Sequence, residues 1–311
     1  MFNDIIDNLT KIRMKKRIIR IASLALLILG MVSCSDEQET ALRPQDAKSI
    51  PMTFLVSHPG QASRATETNF EKNDKIGLYV ADAKAQLEIG GNLVNNEALT
   101  YDGSKWAAAR ALYWDKGTYT AYAYYPYIEN VSSITDQPFS VALDQRVAKT
   151  ATSLGGYEAS DLLFATSKNI SASASPINLT FKHIMSKLKI RLVKGEDFEG
   201  EIPTIADVYI HNTVPTATVD LQAGVATRYV KGTRHTIIAH QDDEASYSAI
   251  IVPQRIDNRM PLIEVVMNGV SYLYESKFQF KPGIEHLVNL IISDNPDQVK
   301  IEIGGEIQNW Q

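Results

Sequence analysis

One cysteine stands in 311 residues, so no internal disulfide can form and each core must hold by packing alone. Basic charge is not in excess either: the chain carries −5 overall. Its first 33 residues hold six Lys or Arg against two Asp, and removing that +4 from −5 leaves the remainder near −9. A chain of that sign offers no basic face for phosphates, which excludes nucleic acid as the expected partner. Long apolar runs are missing; the one run, Ile21 to Met31, is shorter than the ~20 residues needed to span a bilayer. Helical periodicity is almost absent. The six histidines (58, 183, 211, 235, 240 and 286) show no metal-ligand spacing with carboxylates. His183 reads as a structural side chain at a strand end, and Asp242-Asp243-Glu244 as a solvated turn without the alternating oxygens of a calcium loop. There is no Gly-x-Ser-x-Gly elbow and no paired carboxylate motif. We therefore expect no enzyme activity, no metal and no cofactor.

What is present begins with a leader. Lys15-Lys16-Arg17, the apolar run to Met31 and the small residues before Cys34 have the three parts of a secretory signal. Met14 makes a better start than Met1. The ending Met31-Val32-Ser33-Cys34 resembles a bacterial lipoprotein lipobox. That resemblance implies cleavage between Ser33 and Cys34, a diacylglycerol thioether on Cys34, and acylation (palmitate) of the new amino terminus. The acidic Ser35-Asp36-Glu37-Gln38-Glu39 resembles the signal that sends such lipoproteins to the outer face of the outer membrane. The bland alternative is an ordinary signal peptide that leaves Cys34 as a free thiol. Residues 1–33 are thus expected to be signal peptide and 34–48 a lipidated tether.

The rest of the chain reads as strands and turns. Met52 to Ser57 is a strand, followed by the small-residue loop His58 to Thr66 with Arg64 in its middle, the kind of exposed segment that proteases nick. By itself Arg64 reads as a solvated charge. Further strands are expected at Ile76–Val80, Ala98–Tyr101 with a return at Lys105–Trp106, and Leu112–Trp114. Thr118 to Tyr127 alternates aromatic with small or polar residues, the pattern of a half-buried strand. Asp161–Ala165 is a strand, and Ser167–Ser175 reads as a linker. In the second half, alternation recurs at Ile177–His183 and Met185–Leu192. Asn268-Gly269 between Leu262–Met267 and Ser271–Tyr274 is a strong hairpin signal. The expectation is an all-β protein of antiparallel β-sandwiches, residues 49–170 forming one domain and 171–311 the other.

Together the lipobox at Cys34, Ser63-Arg64-Ala65-Thr66, Asp74 to Tyr79, Tyr122 to Tyr127, Asp161 to Ala165, Leu179 to Leu188 and Trp310 resemble, in order, the fimbrillin family of Bacteroidetes lipoprotein pilins and fimbrial adhesin subunits. The resemblance implies two tandem transthyretin-like sandwiches and a surface-exposed outer-membrane precursor that ends in a pilus. It also implies processing between Arg64 and Ala65. Loss of the strand bearing Met52, Phe54 and Val56 would then expose sheet edges to a donor strand from a neighbouring subunit. The carboxy-terminal stretch with Val299, Ile301 and Ile303 is the candidate donor. Partners would be other fimbrial subunits, itself or paralogues, the membrane through the lipid before processing, and a host or bacterial surface ligand. The competing reading is a monomeric, surface-exposed glycan-binding lipoprotein that stacks sugars on Trp106, Trp114 and the tyrosines.

Overall fold

The computed structural model describes residues 50–59, 69–295, 300–302 and 308–310. Ser33, Cys34, Arg64, Ala65, Val299 and Ile303 lie outside them. The described chain is almost wholly β, with one short helix, α1 (Gly156–Ser160). A six-stranded sheet organises the first half. It contains β2 (Lys75–Asp82), β3 (Val94–Tyr101), β4 (Trp106–Ala108), β5 (Thr118–Tyr125), β7 (Leu163–Ser171) and β9 (Lys182–His183), in the order β4-β3-β2-β5-β7-β9. Beside it, β1 (Phe54–Ser57) pairs with β8 (Ile177–Thr180).

Three further sheets follow. One holds β6 (Gln137–Ser140), β12 (Thr216–Asp220) and β13 (Val225–Arg228). Another orders β14 (His235–Ile238), β11 (Asp207–Thr213), β17 (Gln254–Met267) and β18 (Val270–Phe280). The last is built from β15 (His240–Asp243), β16 (Ser246–Ile251), β10 (Ser186–Lys194), β19 (Ile284–Ile292) and β20 (Lys300–Glu302), with β21 (Gln308–Asn309) also on β19. Pairing is mostly antiparallel, but β1–β8 and β10–β19 are parallel, which all-antiparallel sandwiches did not anticipate. Both parallel pairs join strands far apart in sequence, as parallel pairing requires.

Thr118–Tyr125 is the instructive departure. Its alternation suggests one wet face, yet every residue from Tyr119 to Tyr125 is buried. Ala121, Ala123 and Tyr125 enter a smaller core with Ile76, Leu78 and Leu163. Tyr122 and Tyr124 enter a larger core with Tyr79, Phe164 and residues of the second half. The centre of the six-stranded sheet is covered on both faces, so period two in β5 sorts side chains between two cores rather than between core and water. Residues Ile177, Leu179 and Phe181, beyond the expected division at 170, belong to the smaller core. Ser167–Ser171, expected in a linker, completes β7. Leu112–Trp114 is not a strand but a segment with a single bridge from Tyr113 to Pro51.

Two buried glutamines seal main-chain groups that no strand reaches. Gln145 accepts from the Ile250 N–H and donates to the Ile250 carbonyl, both at 2.8 Å. Gln254 does the same for Val214, at 2.9 and 3.0 Å. The Asn268-Gly269 turn takes φ of 51° and 79°, the left-handed pair that a tight hairpin demands.

Gly77, on β2, faces the Tyr124 ring so closely that a Cβ would occupy the ring's own space. The Tyr124 hydroxyl donates to Asn96 Oδ1 at 2.6 Å, so the ring cannot retreat without breaking that bond. Gly77→Ala is expected to destabilise the fold by about 1–3 kcal/mol. Urea unfolding at neutral pH would show the midpoint falling with the slope unchanged.

Candidate functional site

Residues Ile50–Ser57 form a strap across the smaller core. Its first half is bonded to one neighbour: the Met52 N–H donates to the Leu112 carbonyl (2.8 Å), and the Trp114 N–H donates to that of Ile50 (2.9 Å). Its second half, β1, is bonded to another: Ile177 N–H donates to the Thr53 carbonyl (2.8 Å) and Phe181 N–H to that of Ser57 (3.0 Å). In β1 the register runs Phe54 opposite Ile177 to Ser57 opposite Thr180. Side chains alternate as the sequence suggests. Met52 is 7% exposed and Phe54 and Val56 pack against the same core, whereas Leu55 points outward. On the β4 side the strap is flanked by hollows of about 400 Å³ and 240 Å³ rather than by a ladder.

An aromatic cluster closes the end of the strap. Phe70 meets Trp106 at 5.0 Å, Tyr125 at 5.4 Å, Phe181 at 5.6 Å and His58 at 4.9 Å, all edge to face. His58 follows β1 directly and its ring lies 6.0 Å from His183. Burial lowers the His58 pKa to about 4, against a smaller opposing pull from Asp161.

His183 then leads to the carboxy terminus. Its Nδ1 bonds Asp161 Oδ1 at 2.8 Å, and its ring stacks on Trp310 at 3.6 Å, 9° from coplanar. Trp310 is held by its own N–H, which donates to the Gly283 carbonyl at 3.0 Å, and Lys187 Nζ lies 5.8 Å from its ring. The rings of Phe70, His58, His183 and Trp310 therefore form a continuous series between the strap and the last described residue. In the sequence Asp161, His183 and Trp310 are separate landmarks; nothing in their spacing announces that they meet. Of the candidate donor residues, Ile301 lies on β20, whose register with β19 sets it opposite Leu290.

The stacking platform is corrected by the packing. Trp106 and Trp114 are 8% and 6% exposed, and Tyr122, Tyr124 and Tyr125 are buried, so these rings have no open face for a sugar. Trp106 and Trp114 are drawn into the smaller core, and the tyrosines of β5 are buried because β5 is covered on both faces. Asp242 likewise is not in a solvated turn: on β15 it accepts from Ser248 Oγ at 2.5 Å and lies 3.5 Å from Lys189 Nζ. Among the described residues no group of three or more His, Cys, Asp or Glu side chains is placed to hold a metal ion.

Comparison with known proteins gives the class. The family model for fimbrillin-like proteins matches residues 63–310, and the chain belongs to that family. A candidate fimbrium tip subunit of Bacteroides ovatus, Fim1C, is 30% identical over 129 residues, covering 39% of this chain. The match occupies 23% of that relative, so the chain spans about a quarter of its length. Two crystal structures share the fold. A candidate cell adhesion protein from Bacteroides uniformis has a TM-score of 0.63 at 20% identity, covering 86% of this chain and 100% of that one. Another from Bacteroides ovatus has a TM-score of 0.64 at 19% identity, covering 85% and 98%.

The His58 environment has a pH consequence. The folded pKa of about 4 lies below the ordinary 6.5, so between these values the unfolded chain takes up a proton that the folded chain refuses. His286, beside Phe278 and accepting from the Lys281 N–H at 3.2 Å, is lowered to about 4 by burial in the same way. Stability from both is full above pH 6.5 and declines as pH falls toward 4. Thermal unfolding across that range is expected to show a falling midpoint, and His58→Gln or His286→Gln should each shallow the decline.

Proposed function

We propose that this protein is a subunit of a cell-surface fimbria, exported as a lipoprotein and activated when a protease cuts the loop at Arg64 and frees the strap. The observation that carries the reading is the position of Met52, Phe54 and Val56. They fill the smaller core from a segment that precedes the Arg64 loop, so cleavage between Arg64 and Ala65 would leave that segment held by non-covalent contacts alone. Full burial of Met52 and half burial of Phe54 and Val56 is worth roughly 4 kcal/mol. After cleavage that packing and the main-chain bonds to Leu112, Trp114 and β8 are what retain the segment.

Its departure would uncover Ile177, Leu179, Leu112 and Trp106, together with the main-chain groups of β8. An extended segment from a neighbouring subunit would fit there by strand addition, its alternate side chains entering the pockets that Met52, Phe54 and Val56 vacate. Val299, Ile301 and Ile303 supply a suitable alternation for the donor. Head-to-tail exchange of this kind does not close on itself and so grows a filament. We further propose that lipid on Cys34, after cleavage behind Ser33, holds the precursor on the outer membrane. Two transthyretin-like sandwiches, centred on residues 49–170 and 171–311, complete the reading. The family membership and the relatives' descriptions as fimbrial and adhesion proteins support the assignment to a fimbria.

The test is digestion of the precursor with an arginine-specific protease, followed by amino-terminal sequencing and electrophoresis in SDS without boiling. A new terminus at Ala65 accompanied by SDS-resistant ladders is expected, and Arg64→Ala should abolish both. Cleavage at Ala65 that leaves only monomer would remove strand exchange from the proposal.

A further inference from the structure

Long open strand edges invite pairing with another chain, and folded proteins shorten, bulge or cover them. Most edges here follow that rule. β4, β9 and β20 are two or three residues long, and β13 is four. β15 has a register shift between Gln241 and Asp243. β14 is covered by Leu143–Gln145: the Ile238 N–H donates to the Leu143 carbonyl at 2.7 Å, and the Gln145 N–H donates to that of Ile238 at 3.0 Å. At the other side of the same sheet, β18 is eleven residues long. Its ladder with β17 shifts register between Ile256 and Met260 and between Pro261 and Ile263, but the extra residues lie on β17, so β18 itself carries no bulge. Among the described residues it pairs with β17 alone, and no main-chain bond reaches its outer side.

The side chains of β18 specify what would lie there. Tyr272, Tyr274, Phe278 and Phe280 face the core; Tyr272 and Phe280 are buried, Tyr274 and Phe278 partly so. Leu273, Glu275, Lys277 and Gln279 face outward. Ser276 lies midway between the two charges and midway between the two aromatic pairs. We propose that β18 pairs antiparallel with β18 of a second copy of this chain, about a two-fold axis at Ser276. In that register Glu275 of one copy lies opposite Lys277 of the other, twice by symmetry. Tyr274 meets Phe278, Tyr272 meets Phe280, and the core face continues from one molecule into the next. Opposite charges and aromatic pairs directly across strands are stabilising, and like charges there are not. A register moved by one residue would place aromatic faces against water. The closed two-fold contact differs from head-to-tail strand exchange, and it lies in the larger core, away from the strap.

Glu275 has one charged neighbour within its own chain, Arg259 on β17, at 3.6 Å with both side chains well exposed. The experiment is sedimentation equilibrium of the purified full chain and its charge variants over a range of concentrations. The parent protein is expected to form dimers. Glu275→Lys and Lys277→Glu should each raise the dissociation constant about tenfold, since two attractive pairs become two repulsive ones. Both an equimolar mixture of the two variants and the double variant Glu275→Lys/Lys277→Glu should restore association. Restoration in the mixture also shows that each variant is folded. A parent protein that stays monomeric overturns the proposal. So does a dimer indifferent to the single reversals, or a mixture and double variant that fail to recover.

Discussion

The rest of the structure depends on two central strands, β2 and β5, with no solvent face. β2 is buried from Ile76 to Ala81, and β5 beside it is buried from Tyr119 onward. A sheet dried on both sides needs a cover on each, and the two covers come from different parts of the chain. β10, β11, β16 and their neighbours supply the larger one. The strap, β8 and the aromatic cluster around Phe70 supply the smaller. Burial on both sides also sets the polar terms. The Tyr124 hydroxyl is bonded to Asn96 and Ile128, while burial, with a smaller push from Tyr127, raises the Tyr79 pKa to about 12. The glutamine seals at Ile250 and Val214 answer the same need, because main-chain groups inside a dry layer must be paired.

Local chemistry was legible in the sequence wherever one turn or one strand decided it. The Asn268-Gly269 hairpin, the return at Asp102 to Lys105 and the alternation of Met52, Phe54 and Val56 all lie where their residues place them. What period two cannot tell is whether the second face meets water or another core, and β5 was misjudged for that reason. The ring pairs misled similarly: Trp106 and Trp114 suit a sugar platform by type, but the strap and Phe70, tens of residues away, help to close them in. The parallel pairs and the Trp310–His183 stack are products of long-range topology, which a linear pattern does not encode.

The downstream end of the strap and the last described residue meet over a short distance. The strap ends at His58, the last described residue stacks on His183, and Phe70 ties both to the smaller core. Asp161 fixes the His183 ring from below through its Nδ1. Loosening either end therefore alters the surroundings of the other without any need for a distant relay. Membership of the fimbrillin-like family gives this convergence its context, since the matched region runs from residue 63 to Trp310 and takes in Phe70, His183 and Trp310.

The strap has a mechanical side as well. Its upstream half is bonded to Leu112 and Trp114, its downstream half to β8, so the two halves grip opposite walls of the core. Tension applied along the strand from its upstream end loads all of those bonds together, in shear, and they yield only as a set. Lifting from the downstream end, beyond Ser57, loads them singly, beginning with the bond from Phe181. An intact chain restrains that downstream end through its continuation toward Phe70; a chain severed in between does not. The same few hydrogen bonds are thus a firm grip against traction and a weak one against peeling.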